Sequence, residues 1–249
     1  MRKLLLTALL LATLDASAHV DVQMHYDLGR KTNPNSEADR QNITATVEQF
    51  RPDRLGNIFY FIDFDFYSKG MKGAYIEFSR EFNLGHKGFA LHGEYNGGVT
   101  TGHEAAWSSQ FQHALLIGPA YNWHNKDFRR TWSLQAMYKQ YFHGTHGASA
   151  YAGFQLTGVW NLTFAQRDMF TFSGFCDFWR HRKITGGYNI TLLAEPQLWF
   201  NLNSIKNARK TNLSIGTEWE ISNNFIFPTR GSDRTFFWNP TLAVKWTMK

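Results

Sequence analysis

From residue 19 onward the chain alternates apolar and polar residues with a period of two, and this constrains its fold more than any other feature. Successive side chains of an extended strand point to opposite faces, so the pattern marks amphipathic strands rather than helices. Val20, Val22, Met24, Tyr26 and Leu28 share one face, and Asp21, Gln23, His25 and Asp27 the other. Ile58, Tyr60, Ile62, Phe64 and Phe66 oppose Asn57, Phe59, Phe61, Asp63 and Asp65. Leu213, Ile215, Thr217, Trp219 and Ile221 oppose Asn212, Ser214, Gly216, Glu218 and Glu220. Near the C-terminus Leu242, Val244, Trp246 and Met248 oppose Thr241, Ala243 and Lys245.

The pattern predicts twelve strands, at about 19–28, 41–50, 56–67, 72–83, 87–96, 109–121, 130–142, 150–162, 168–180, 187–199, 210–221 and 235–248. Turn chemistry separates them, as at Arg51-Pro52-Asp53-Arg54, Asn96-Gly97-Gly98 and Gly186-Gly187. Strands of this length suit a tilted crossing of a bilayer. An even number places both termini on one side, with outer loops at roughly 29–40, 68–71, 97–108, 143–149, 181–186 and 222–234.

Soluble sandwiches and small barrels also alternate, and parity alone does not say which face is inside. Two features decide for a membrane. Twelve long strands exceed what a small soluble barrel uses. Rings also gather near strand ends: Tyr26, Phe50, Tyr67, Tyr121, Trp123, Tyr141, Phe142, Trp160, Phe178, Trp179, Trp199, Phe200, Phe236, Trp238 and Trp246, the placement of interfacial girdles. Aromatic residues make up 16% of the chain. Mean hydropathy is −0.40, and no segment after residue 18 is long and apolar enough for a transmembrane helix. The expected fold is an all-β antiparallel transmembrane β-barrel of about 12 strands.

The N-terminus supports export. Arg2 and Lys3 precede an apolar run from Leu4 to Leu14, and Ala16-Ser17-Ala18 offers a cleavage site. Residues 1–18 are expected to be a signal peptide and 19–249 the barrel, located in the bacterial outer membrane. No Cys follows the apolar run, which argues against a lipid anchor. The formal net charge is +6, but the basic residues sit in predicted turns rather than in one patch. That distribution suits outer-membrane lipid and lipopolysaccharide rather than nucleic acid. The single cysteine, Cys176, allows no internal disulfide and reads as a small apolar wall residue.

Three segments carry a resemblance. These are Phe61-Ile62-Asp63-Phe64-Asp65-Phe66-Tyr67 with Tyr75-Ile76-Glu77-Phe78-Ser79-Arg80, then Leu115-Leu116-Ile117-Gly118-Pro119 running into Tyr121-Asn122-Trp123, and Phe172-Ser173-Gly174-Phe175-Cys176-Asp177-Phe178. With these the sequence resembles the nucleoside-specific outer-membrane channel-forming protein family, whose members are twelve-stranded barrels. The resemblance implies a channel for small polar solutes, nucleosides among them. The chain is expected to be a monomer without enzymatic activity.

The polar strand faces supply candidate residues for a solute path: Phe59, Phe61, Asp63, Asp65, Glu77, His92, Glu94, Gln135, Lys139, Phe175, Asp177 and Glu218. Rings stack on flat bases and sugars, acids and amides bind hydroxyls, and weak repeated sites favour passage over retention. The plainer alternative is that these acids and bases pair with one another and stiffen a closed structural barrel. A lipid-modifying hydrolase is a third reading, with Ser108, Ser109 and His113 close in sequence and His143 and His146 in one loop. There is no Gly-x-Ser-x-Gly elbow, the two loop histidines are too sparse for a metal site, and no cofactor motif is present.

Overall fold

The computed structural model describes residues 19–35, 40–68, 70–85, 87–101, 108–110, 112–144, 148–183, 186–208, 210–226 and 233–248. The expected signal peptide lies outside them. Twelve strands form the wall. They are β1 (His19–Asp27), β2 (Ile43–Asp53), β3 (Gly56–Tyr67), β4 (Gly70–Asn83), β5 (Phe89–Thr101) and β6 (Ala114–His124). They continue as β7 (Arg130–Tyr141), β8 (Tyr151–Phe164), β9 (Phe170–Arg182), β10 (Tyr188–Ala194 and Gln197–Asn201), β11 (Leu213–Asn223) and β12 (Phe236–Met248). A three-residue strand, Ser108–Gln110, pairs beside the end of β5.

Each strand pairs antiparallel with the next, and β12 returns to β1 in a register from Val20 opposite Met248 to Asp27 opposite Thr241. The sheet therefore closes and leaves no unpaired edge, as a bilayer requires of a β structure. Both described ends of the wall, with the β2–β3, β4–β5, β6–β7 and β8–β9 turns, lie at one rim. The longer β1–β2, β5–β6 and β11–β12 connections lie at the other, which is the outer rim by the pattern of such barrels.

Burial settles which face is which. Leu242 is 62% exposed and Leu134 57%, and Met24, Ile117, Leu156 and Ile215 project outward in the same way. Gln23, His25, His92, Asn96, Gln155, Asn239 and Thr241 are buried. In water each such outward side chain would forgo about 1.5–3 kcal/mol of burial. A bilayer removes that penalty, so the wall is that of an outer-membrane barrel, apolar outside and polar within.

Ring contacts form part of a girdle at the inner rim. Phe89 meets Tyr121 at 5.0 Å, Tyr121 meets Trp132 at 5.5 Å, and Trp132 stacks on Trp123 at 6.2 Å. Trp160 meets Phe172 at 5.8 Å, and Phe170 bridges Phe164 and Phe200 at 5.7 and 5.6 Å. Five rings assigned to girdles from sequence do not belong there. By strand register Phe50, Tyr67, Tyr141, Trp179 and Trp199 lie on the inner face, and Trp199 is fully buried. Proximity to a strand end does not fix the face; parity does.

Two boundaries also differ. Gly97 and Gly98, expected in a turn, continue β5 to Thr101. The Tyr95 hydroxyl lies 2.6 Å from where a Gly97 Cβ would stand, so the glycine marks a close approach inside a strand. The sixth strand begins at Ala114 rather than near 109. In β10, Glu195-Pro196 interrupts the ladder because Pro196 has no N–H to donate. Gly174, at φ +145°, accommodates this interruption: a Cβ there would meet the Glu195 carbonyl oxygen at 2.3 Å.

Candidate functional site: the polar lumen

Inner-face side chains follow from register, since directly opposed residues of an antiparallel pair share a face. All twelve candidates from the sequence project inward. On β3, Asp63 and Asp65 accept hydrogen bonds from Thr46 and Thr44 of β2 at 2.5 and 2.7 Å. Phe59 and Phe61 lie beside them with ring centroids 6.1 Å apart, and Tyr75 of β4 continues the row 6.0 Å from Phe61. The row thus presents three rings next to two carboxylates.

A second group spans β4 to β9. His92 sits between two carboxylates, Nδ1 at 3.1 Å from Glu81 and Nε2 at 2.9 Å from Glu94. Asn57 and Asn122 both donate to Glu81, at 2.8 and 2.7 Å. Glu77 accepts from the Tyr75 hydroxyl at 2.8 Å and from the Asn96 amide at 3.3 Å. Lys139 donates to Gln155 at 2.7 Å and lies over the rings of Tyr141 and Trp179. Gln155 and Thr157 donate to Asp177 at 3.2 and 2.6 Å.

Glu218 belongs to a third group, around Trp199. Gln197 donates to Glu218 at 2.6 Å, and the Trp199 indole N–H donates to Gln197 at 2.9 Å. His25 stands edge-on to Trp199 at 6.0 Å and bonds Thr241 and Gln23. Lys245 covers the other part of the ring at 4.5 Å and pairs with Asp21 at 3.8 Å. Gly216 leaves the space this ring fills, since a Cβ would stand 2.6 Å from it.

Two candidates stand apart from these groups. Among the described residues Gln135 bonds only Ser133 on its own strand, at 3.5 Å. Phe175 faces the lumen at the β10 interruption, where its carbonyl accepts the Glu195 N–H at 3.0 Å.

Alternation did not reveal Arg40, in the β1–β2 connection. Its guanidinium donates to Asp27 at 2.9 Å and, through two nitrogens, to both oxygens of Glu220 at 3.1 and 3.0 Å. Burial disfavours the charge, but the Glu220 and Asp27 carboxylates outweigh it and raise the arginine pKa above its ordinary value. The same connection carries a one-turn helix, Gly29–Thr32, followed by Asn33, which donates to Asn239 of β12 at 2.9 Å. A loop residue pinned to the wall has no periodic signature.

The balance of inward charge is acidic. Besides the candidates, register turns Asp21, Asp27, Glu48, Glu81 and Glu220 inward, and Glu195, at the β10 interruption, lies within electrostatic range of Glu218, Glu220, Asp63 and Glu77. Among the described strand residues register turns Lys139 and Lys245 inward, Lys72 at the β4 register shift acts on Asp65, and Arg40 adds one guanidinium from the loop.

Of the hydrolase candidates, His113 lies 2.5 Å from the Tyr95 hydroxyl. His143 is exposed. The side chains of Ser108 and Ser109, and His146, lie outside the described residues.

Comparisons place the architecture. The NanC porin structure aligns with a TM-score of 0.55 at 8% identity, covering 92% of this chain and 100% of that one. The KdgM porin aligns with a TM-score of 0.47 at 10% identity, covering 93% and 99%. LpxR from Salmonella typhimurium aligns with a TM-score of 0.45 at 9% identity, covering 92% and 99%. At 8% identity the likeness to the NanC porin structure is one of fold. No curated protein matches the chain. A family model described as "Domain of unknown function (DUF5020)" matches residues 19–248, and the chain belongs to that family.

Proposed function

We propose that this barrel is an outer-membrane channel through which small polar solutes diffuse. The observation that carries the proposal is the inversion of the wall. Polar, charged and ring side chains face a closed interior, while the apolar face is given to lipid. Ionisable groups at membrane depth are expensive and ordinarily mark a solute or ion pathway. Stability alone would be served as well by an apolar filling. The likeness to NanC, described as a porin, is consistent with this reading. Nucleoside-like solutes fit the β3–β4 row, where Phe59, Phe61 and Tyr75 offer faces for a flat base and Asp63 and Asp65 accept hydroxyl protons. The remaining candidates, from Glu77 to Glu218, then line the rest of the path.

The test is single-channel recording of the refolded barrel in planar bilayers, with nucleosides and sugars added in turn. Discrete steps blocked by nucleosides support the full reading, and steps blocked only by another solute change the substrate and keep the channel. No steps from a barrel shown to be folded by its heat-modifiable gel mobility would refute the channel and turn attention to lipid hydrolysis.

A further inference from the structure

Two buried acceptors of the lumen wall that lack a hydrogen-bond donor lie side by side. Glu94 and Asn96 are neighbours on the inner face of β5, two residues apart and therefore side by side. The Asn96 residue is 5% exposed and the Glu94 side chain 9%. Each has one bond: Glu94 Oε2 to His92, and the Asn96 amide nitrogen to Glu77. The other oxygen of each, Glu94 Oε1 and Asn96 Oδ1, is buried without a hydrogen-bond partner. A buried acceptor left unmatched is costly, and its presence in a folded protein calls for an occupant.

The surroundings specify what that occupant must bring. Glu77 is directly opposite Asn96, and Glu94 and Asp177 lie within electrostatic range of Glu77. Lys139 lies within electrostatic range of Glu77, Glu94 and Asp177, but its ammonium donates to Gln155 and is held over the rings of Tyr141 and Trp179, so it fills neither open acceptor. The open positions are thus oxygen acceptors in a field of carboxylates. No group of His, Cys, Asp and Glu suited to a metal ion occurs among the described residues. An ammonium group, with several N–H donors and a positive charge, matches both the geometry and the field.

We propose that Glu94 and Asn96, backed by Glu77 and Asp177, form a lumen subsite for the ammonium group of small organic cations, and that the channel favours cations over anions. This rests on the channel reading above, and adds a charged solute class to the nucleoside-like solutes of the β3–β4 row. The excess of inward carboxylates over Lys72, Lys139, Lys245 and Arg40 acts along the path, while the subsite adds a local point of retention. Modest affinity is what a conducting channel needs, because a solute must also leave.

The experiment uses the folded barrel in planar bilayers under a KCl gradient, with putrescine as the ammonium probe and glutamate as the anionic control. The expected results are a reversal potential on the cation-selective side and concentration-dependent block by putrescine but not by glutamate. Glu94→Gln and Asn96→Leu are each expected to weaken that block about tenfold, the effect of one lost charge-assisted contact. Asp21→Asn, an inward acid outside the candidate path, should lower cation selectivity while leaving putrescine block within about twofold, which separates local binding from the general field. Anion selectivity, or block unchanged in both subsite variants, overturns the proposal and leaves the channel standing. If the folded barrel shows no conductance, the channel reading fails. Calorimetric titration of putrescine into the detergent-folded protein then decides the subsite by itself: heat lost in Glu94→Gln upholds it, and no heat in the parent protein overturns it.

Discussion

Replacing Arg40 by alanine tests whether the β1–β2 connection is bolted to the lumen or merely rests on it. The Arg40 side chain is 9% exposed, and its partners Asp27 and Glu220 are 4% and 12% exposed, so solvent screens this group little. Removing the guanidinium leaves two buried carboxylates without their cation. Breaking a buried ion pair by deleting one partner ordinarily costs about 3–5 kcal/mol, most of it the burial of the charge left behind. Part of Asp27 remains satisfied, since its Oδ1 accepts the Gly29 N–H at 2.7 Å, and Glu220 keeps a bond from Asn239 at 3.1 Å. Those bonds place the expected loss near the lower end, about 3 kcal/mol. With a urea slope of about 2–3 kcal/mol per molar, the unfolding midpoint should fall by about 1–1.5 M. The assay is equilibrium unfolding in lipid vesicles, followed by tryptophan emission. Arg40→Lys should recover about half, since it restores charge but not the two-pronged geometry toward Glu220. Asp27→Asn with Glu220→Gln in the Arg40→Ala background should recover more, because it removes the stranded charges. A loss below about 0.5 kcal/mol for Arg40→Ala would refute the reasoning: lumen water would then be solvating both carboxylates as well as the guanidinium does.

Other outcomes follow from the same geometry. Gly118→Ala should cost at least about 2 kcal/mol, because a Cβ there would meet the Ala136 carbonyl at 2.0 Å and force β6 from β7; the vesicle unfolding midpoint measures it. Trp199→Phe should lose about 1–2 kcal/mol through the Gln197 bond and part of the Lys245 contact, and should remove a blue-shifted, quencher-resistant component from the emission spectrum. Leu134→Lys on the outer face should cost about 2–4 kcal/mol in a bilayer if its site is near the midplane, whereas Ser133→Lys on the lumen face should be far milder, measured by folding yield into vesicles. Asp63→Ala with Asp65→Ala should reduce nucleoside flux into liposomes; unchanged flux would remove the two carboxylates from the path.

The strand count, the approximate spans and the inner or outer face of the candidate residues were legible because one physical rule, alternation with period two, acts on every strand. Asp63, Glu77, His92 and Asp177 could each be assigned a face without knowing a single contact. Errors arose where another rule took over. Gly97-Gly98 has turn chemistry, yet Tyr95 folds over the vacant Gly97 position and the strand runs on. Trp199 sits near a strand end like a girdle residue, but its parity turns it inward, where Gly216 makes room for it. Nothing in the local sequence couples those two positions; only the register between β10 and β11 does.

Arg40 shows a deeper limit. Its partners Asp27 and Glu220 lie on strands near opposite ends of the sequence, which closure of the barrel makes close neighbours. No window along the chain contains that triad. The same closure explains why the lumen's character emerges only from the assembled wall. Most strands contribute one or a few inward charges, β6, β8 and β10 none, and each looks unremarkable by itself. Assembled, they divide unequally: Arg40 is held by two carboxylates, Lys139 by Gln155 and two rings, and Lys245 by Asp21 and Trp199. Each inward cation is already engaged, while Glu94 and Asn96 retain open acceptors. A solute that brings donors and positive charge completes this lumen, and an anion meets a surplus of its own sign, although the net charge of the whole chain, +6, suggests the reverse. Charge on the loops and charge in the lumen are separate quantities, and the second governs what can pass.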